Sequence, residues 1–107
     1  MVLEKDYKKK ADYPQDTEKN EYRYFSPGWL NEMAEGLTAG AIKHPGETWR
    51  QIPAEEHLAR AMRHIVMYLS GDRSENHIIN ASMRCMMARD VAKNAEVMEA
   101  LGLEYED

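Results

Sequence analysis

The sequence has a single cysteine, Cys85, and no apolar run that approaches the roughly 18 residues of a membrane span. One cysteine cannot form an internal disulfide or a zinc site built from several cysteines, and we expect Cys85 to pack as a small apolar residue. The first ten residues carry too many charges for a secretory signal peptide. These absences predict a soluble, cytoplasmic protein that does not interact with a membrane.

An excess of positive charge is also missing. The chain has 14 Lys and Arg residues against 19 Asp and Glu residues, a formal net charge of -5. The last dozen residues contain only acidic charges and account for this whole imbalance. Because binding to duplex nucleic acid depends largely on neutralising phosphates, we predict that duplexes are not partners. A small phosphate-bearing ligand is compatible with these charges.

The third absence is the alternating apolar and polar pattern of β-strands, since the regular segments all have a helical period. We therefore predict an all-α protein, a small bundle of three to four helices with an extended N-terminal arm. The expected organisation is an arm over residues 1–25, a helical domain over residues 26–102 that carries the candidate site, and an acidic tail over residues 103–107.

Helix boundaries follow from capping residues and prolines. Ser26 before Pro27 predicts the start of a first helix, which Gly40 and the His44-Pro45-Gly46 sequence end. Pro53 begins a second helix, whose apolar residues between 58 and 69 form one continuous stripe.

A third helix is predicted from Glu75 to about Lys93, with Ser74 as its cap, and the periodicity continues to Gly102. The short connection over residues 70–74 makes the second and third helices antiparallel neighbours. Apolar residues cover well over half of the circumference of the third helix. Because a helix of this kind is buried on several sides, as at a subunit interface, we predict a homo-oligomer. Its interface would include one or more of Met83, Met86 and Met87.

Two polar stripes are the strongest functional pattern in the sequence. The second helix aligns His57, Arg60 and His64, and the third aligns His77, Asn80 and Arg84. If the stripes face each other, they form a groove suited to donating hydrogen bonds to phosphate or ribose oxygens. The alternative is that the arginines are solvated and the histidines are partly buried structural residues.

Four more residues are candidates for the rim of this groove. Lys43, Arg50 and Arg63 could add positive charge there. Trp49 could stack on a purine beside Arg50, or it could instead anchor the loop over the helix ends.

Metal chemistry has a weaker signal. Glu32 and Glu35 form a Glu-x-x-Glu pair of the kind that all-helical nucleoside triphosphate pyrophosphohydrolases use for Mg²⁺, but no second acidic pair follows on another helix. The pair is therefore a metal site only if the protein is an enzyme, and otherwise no cofactor is expected. Three histidines could bind a transition metal, but the neighbouring arginines would repel it.

Several short motifs in one order resemble a phage family, the N-terminal region of dATP/dGTP diphosphohydrolases. They are Tyr22-Arg23-Tyr24, Gly40-Ala41-Ile42-Lys43-His44, Thr48-Trp49, Ala61-Met62-Arg63-His64 and His77-Ile78-Ile79-Asn80-Ala81. The resemblance covers residues 20 to 90 and implies an all-α, oligomeric nucleotide-site protein. Glu32, Lys43, Trp49, Arg63, His64 and His77 occupy matching positions. Phe25 replaces the family's aspartate, Asn80 replaces its second histidine, and the family's acid-rich loop before His77 is shortened to Asp72-Arg73-Ser74-Glu75.

Three functions stay open at this point. The first is binding of a nucleotide-derived small molecule without catalysis, such as sequestration of a host immune signal in the host cytoplasm by a phage protein. The second is a Mg²⁺-dependent (d)NTP pyrophosphohydrolase that releases a nucleoside monophosphate and pyrophosphate. The third is a structural helical assembly protein. Loss of the family's aspartate and second histidine favours the first.

Overall fold

The computed structural model describes residues 20–44 and 47–102 of the chain. This part contains three α-helices, α1 (Pro27–Lys43), α2 (Ala54–Leu69) and α3 (His77–Ala100), and two 3₁₀ helices, Tyr22–Tyr24 and Thr48–Gln51. Because these described residues include no strand, the all-α prediction is confirmed. Most of the predicted arm (1–25) and the whole predicted tail (103–107) lie outside the described residues. None of the described helices has the length and apolar character needed to cross a bilayer.

Helix α1 begins where the sequence predicted. The Ser26 hydroxyl accepts a hydrogen bond from the backbone N–H of Trp29 at 3.1 Å, which satisfies one of the unpaired donors of the first turn. The indole Nε1–H of Trp29 donates to Ser82 Oγ at 3.1 Å, and this bond ties the start of α1 to the middle of α3.

The connection between α2 and α3 differs in detail from the prediction. Gly71 follows α2 with a φ of 97°, a left-handed conformation that glycine adopts without strain. The predicted cap at Ser74 is wrong, because the Ser74 hydroxyl donates to Asp72 at 2.7 Å and the Asn76 side chain caps α3. The segment after Lys93 continues α3 without a break, and Gly102 lies just past its end, as predicted.

Helix α3 is the central element of the fold. It packs against α1, α2 and the 3₁₀ helix Thr48–Gln51, whereas the backbones of α1 and α2 do not approach each other closely. Met83 packs so closely on Gly36 of α1 that a Cβ at Gly36 would lie 2.7 Å from the Met83 sulfur. Met87 is buried. Contacts within one chain thus cover much of the α3 surface that the sequence analysis assigned to a subunit interface.

Of the predicted apolar stripe of α2, only Ala61 lies on the buried face of the helix. His57, Ala61 and His64 face α3 and are buried, while the large apolar residues of the stripe are 47% to 78% exposed. These exposed residues are Leu58, Met62, Ile65, Val66 and Leu69. The interior of this small fold therefore contains three buried histidines, His57, His64 and His77.

Candidate functional site

Two side-chain pairs join α2 to α3 and define the site. His64 Nδ1 lies 2.8 Å from His77 Nδ1, and Arg84 Nη1 donates to His57 Nδ1 at 3.1 Å. His57 and His64 are seven residues apart on α2, and His77 and Arg84 are seven residues apart on α3. The later residue of α2 pairs with the earlier residue of α3, as expected for two antiparallel helices in contact over two turns. The two polar stripes therefore face each other at these two pairs, which is the arrangement that the groove requires.

His57 has a structural position in this arrangement. Its Nε2–H donates to the carbonyl oxygen of Trp49 at 2.9 Å, because a carbonyl can only accept. Its Nδ1 is consequently the acceptor for Arg84, and the ring is neutral. Both ring nitrogens are thus used within the chain. His57 links the 3₁₀ helix Thr48–Gln51 to α2 and orients Arg84.

Arg84 is a partly buried cation without a carboxylate partner among the described residues. Burial lowers the pKa of Arg84, and repulsion from Arg60 lowers it further. A guanidinium stays charged in proteins under all ordinary conditions. Within residues 20–44 and 47–102, this fixed positive charge therefore has a neutral imidazole as its hydrogen-bond partner and no ion-pair partner.

Asp72 and His77 form a second polar unit next to the first. The Asp72 carboxylate accepts hydrogen bonds from His77 Nε2 and from the hydroxyl and backbone N–H of Ser74. The bond from His77, followed by that from Ser74, lowers the pKa of Asp72 to about 2. Because the carboxylate is ionised, the proton of this contact resides on His77 Nε2. In neutral His77 the lone pair is then on Nδ1, which faces His64.

His64 is buried, and that burial lowers its pKa. The negative charge of Glu75 raises the pKa of His64, whereas His77 and the nearby arginines lower it further. His64 is therefore neutral at pH 7. His57 and His64 therefore add no positive charge to the groove, and their ring N–H groups donate to partners within the chain.

Glu75 completes a group of possible metal ligands. Ligand atoms of His64, Glu75 and His77 lie within 4.8 Å of one another. Glu75 is exposed, and its Oε1 accepts a hydrogen bond from Asn80 Nδ2 at 3.2 Å. Among residues 20–44 and 47–102 this is the only such group of three or more.

A cleft of about 740 Å³ opens beside these residues, between α1, the 3₁₀ helix Thr48–Gln51 and the α2–α3 pair. Its polar lining includes Arg60, His64, Glu75, Asn80 and Arg84. A second cavity of about 570 Å³ with a mostly apolar lining lies against the other side of the histidine pair. The first cleft is within the usual volume range of small-molecule sites, about 300 to 1,000 Å³.

The arginine expected beside Trp49 is already engaged. Arg50 forms an ion pair with Glu47 at 2.7 Å and another with Asp90. Its hydrogen bond lowers the pKa of Glu47, and the same bond raises the pKa of Arg50. The guanidinium also lies 4.3 Å from the centre of the Trp49 ring. Because Arg50 covers one face of this ring, the indole serves as a packing anchor on that side.

The remaining candidates lie away from the cleft. Lys43 and Arg63 are exposed and are absent from the described linings of both cavities. Glu32 and Glu35 are exposed on α1, and Glu32 Oε1 accepts a hydrogen bond from Asn76 at 2.8 Å. No third His, Cys, Asp or Glu among the described residues converges with this pair.

Two residues of the site, Asp72 and Glu75, were not among the candidates from the sequence. They lie in the connection before α3, and the periodicity of a helix gives no position for side chains outside that helix. A usable signal was present, since Asp72 and Glu75 come five and two residues before His77 in a connection that must return the chain to α2.

Comparison with known proteins agrees with the resemblance noted in the sequence. No curated protein and no solved structure matches the chain in these comparisons. A family model described as "dATP/dGTP diphosphohydrolase, N-terminal" matches residues 9–100. This match includes every described helix and the whole histidine–arginine site. The chain therefore belongs to the dATP/dGTP diphosphohydrolase N-terminal family.

Proposed function

We propose that this protein binds a nucleotide in the cleft between α1 and the α2–α3 pair, with the phosphate groups at Arg84 and Arg60. The observation that carries the proposal is the charge of Arg84, which is partly buried in the cleft wall and contacts only a neutral imidazole among the described residues. An anionic ligand would supply the missing partner, because charge-assisted hydrogen bonds to phosphate are among the strongest that arginine makes.

Arg60 and Asn80 support the same location. Arg60 lines the cleft and repels Arg84, and its nearest carboxylate among the described residues, Glu56, lies 3.8 Å away. Two positive charges in one cavity repel each other less when a phosphate lies between them. Asn80 offers amide hydrogen bonds to a sugar or a base in the same cleft.

We further propose that the nucleotide is held without being hydrolysed. Hydrolysis of a pyrophosphate bond usually relies on Mg²⁺ bound to several carboxylates. Glu32 and Glu35 do not provide such a set, because both are exposed on α1 and Glu32 is bonded to Asn76. Sequestration of a nucleotide-derived signal is one form of this binding role.

A pyrophosphohydrolase is the second candidate, and the family assignment favours it. Its substrates would be deoxynucleoside triphosphates such as dATP and dGTP. The carboxylates that line the cleft beside the proposed phosphate position are Glu47, Glu75 and Asp90, and neither Glu32 nor Glu35 is among them.

Calorimetric titration with a panel of nucleotides that includes dATP and dGTP, in the presence of Mg²⁺, followed by chromatography of the bound ligand, tests the proposal. Unchanged ligand supports binding alone, a monophosphate with pyrophosphate indicates the enzyme, and no binding indicates a structural assembly protein. We expect Arg84→Ala to weaken binding about 10- to 100-fold, the loss of a hydrogen bond to a charged group. Arg89→Ala, on an exposed part of the same helix, is the matched control. A folded Arg84→Ala variant that binds like the wild type would contradict the proposed site.

We also propose that two copies associate through α2. Five large apolar side chains of this helix are 47% to 78% exposed and form one stripe over its length. A contiguous apolar patch of this kind is typical of an interface in a soluble protein. A second copy is the simplest occupant, because the stripe can pair with its own symmetry mate.

A further inference from the structure

The cluster around His77 has the donor atoms of a metal centre. Ligand atoms of His64, Glu75 and His77 lie within 4.8 Å of one another. The two histidines come from facing helices, and Glu75 comes from the connection between them. We propose that these three residues bind one divalent transition-metal ion, with zinc as the representative ion. The proposal does not depend on nucleotide binding, since it rests on a different set of side chains.

The orientation of His77 supports this assignment. Its Nε2 is bonded to the Asp72 carboxylate, which fixes the ring and leaves Nδ1 as the atom that faces His64. Histidines that bind metals almost always donate their other ring N–H to a carboxylate, a carbonyl or a water molecule. Asp72 is therefore a positioning residue for His77 and not one of the three ligands.

The distance between the two ring nitrogens also fits. His64 Nδ1 and His77 Nδ1 are 2.8 Å apart. Metal–nitrogen bonds of about 2.1 Å would place the two nitrogens about 3 Å apart at a right angle and about 3.4 Å apart at the tetrahedral angle that zinc prefers. A separation larger by about 0.2 to 0.6 Å, with the His64 proton moved from Nδ1 to Nε2, would therefore replace the hydrogen bond by a shared ion.

The kind of ion follows from the kind of ligands. Two imidazoles and one carboxylate form a borderline donor set that suits Zn²⁺, Fe²⁺ or Co²⁺ better than Mg²⁺, which prefers oxygen ligands. The arginines near His64 would repel a cation, but the negative charges of Asp72 and Glu75 offset them. Three protein ligands leave further coordination positions open.

These open positions have a consequence for the cleft. His64 and Glu75 both line the cleft that contains Arg84. An ion bound to them would present a second positive charge to the same cavity. The metal site and the proposed phosphate site would then be neighbours, although each can be tested without the other.

The test is a titration of the untagged full chain with ZnCl₂ and with CoCl₂, without nucleotide, after treatment with EDTA and desalting. We expect one ion per chain and, for Co²⁺, visible absorption bands from nitrogen and oxygen ligands. Glu75→Gln should weaken binding at least about tenfold, and Asp72→Asn should weaken it about 10- to 100-fold, the range for residues that orient a ligand. His44→Ala is the matched control, because His44 is an exposed histidine at the same cleft.

Glu75 is exposed, so the Glu75→Gln variant should keep its fold, which a circular dichroism spectrum checks. Zinc binding that is equal in the wild type, Glu75→Gln and Asp72→Asn would overturn the proposal. So would the absence of saturable binding in the wild type, which would leave the two histidines as a hydrogen-bonded pair. Nucleotide binding by a chain that binds no metal would contradict this inference alone and leave the proposed function standing.

Discussion

His64 and His77 face each other through their Nδ1 atoms at 2.8 Å, and the Asp72 carboxylate lies on the opposite edge of the His77 ring. Because ionised Asp72 holds a proton on His77 Nε2, the neutral pair has one arrangement, with His64 Nδ1–H donating to His77 Nδ1. The lone pair of His64 is then on Nε2. The ionised carboxylate of Asp72 thus determines which ring nitrogen carries the proton in His77 and, through it, in His64.

The ionisation of Asp72 predicts an acid-dependent loss of stability in the metal-free protein. The pKa of Asp72 in the folded protein is about 2, below the ordinary value of 3.8. The stability that ionised Asp72 gives to the folded state is therefore fully present above about pH 4. It is lost as the pH falls through about 2. We expect a two-dimensional NMR titration of the carboxyl carbon to give a midpoint near 2. A midpoint near 4 would contradict the hydrogen-bonded arrangement of Asp72, His77 and Ser74.

His57→Ala should destabilise the fold. His57 is fully buried and bonded through both ring nitrogens, so its removal leaves the Trp49 carbonyl and one N–H of Arg84 without their partner. We expect a loss of about 1 to 3 kcal/mol in the free energy of unfolding for each group left unsatisfied. Urea denaturation followed by circular dichroism measures it.

The matched control for this change is His44→Ala, because His44 is exposed. Its stability should stay within about 0.5 kcal/mol of the wild type. Equal stability of the two variants would contradict the structural role of His57.

Charges on the exposed face of α2 should prevent self-association. Met62 and Leu69 are 65% and 78% exposed in the single chain, so Met62→Glu with Leu69→Glu should leave the monomer folded. Light scattering should show a dimer for the wild type and a monomer for this double variant at micromolar concentration. Ile42→Glu is the control, because Ile42 is 83% exposed on α1 and outside the stripe. A wild-type monomer would contradict the proposed pairing of α2 helices.

Glu32→Gln should leave nucleotide affinity and metal affinity unchanged. The Glu32 side chain bonds to Asn76 at the start of α3, and glutamine keeps an oxygen that can accept the same bond. Calorimetric titration with dATP, in the presence and absence of Mg²⁺, measures the nucleotide affinity, and titration with ZnCl₂ measures the metal affinity. Glu35→Gln is the neighbouring control. Pyrophosphate release that needs Mg²⁺ and disappears in Glu32→Gln would instead support an enzyme with its metal on α1.

Much of the local structure was predictable because it depends on neighbouring residues. The cap at Ser26, the start of α1 and the ends near Lys43 and Gly102 follow from short-range hydrogen bonds and from residues that interrupt helices. The predicted cap at Ser74 was wrong because Asp72, two residues earlier, competes for the same hydroxyl and binds it.

By itself the sequence determined that His57 and His64 share one face of α2, and that His77 and Arg84 share one face of α3, because the helical period fixes these positions. Only the tertiary structure decided which partner each group meets. In the folded chain both ring nitrogens of His57 are hydrogen-bonded, and Arg84 has no carboxylate partner among the described residues. Glu75 lies beside the histidine pair. The tertiary structure also turned the histidine face of α2 inward and the large residues of its apolar stripe outward. These outcomes depend on which helix faces pack together, and the periodicity of a single helix contains no information about its neighbours.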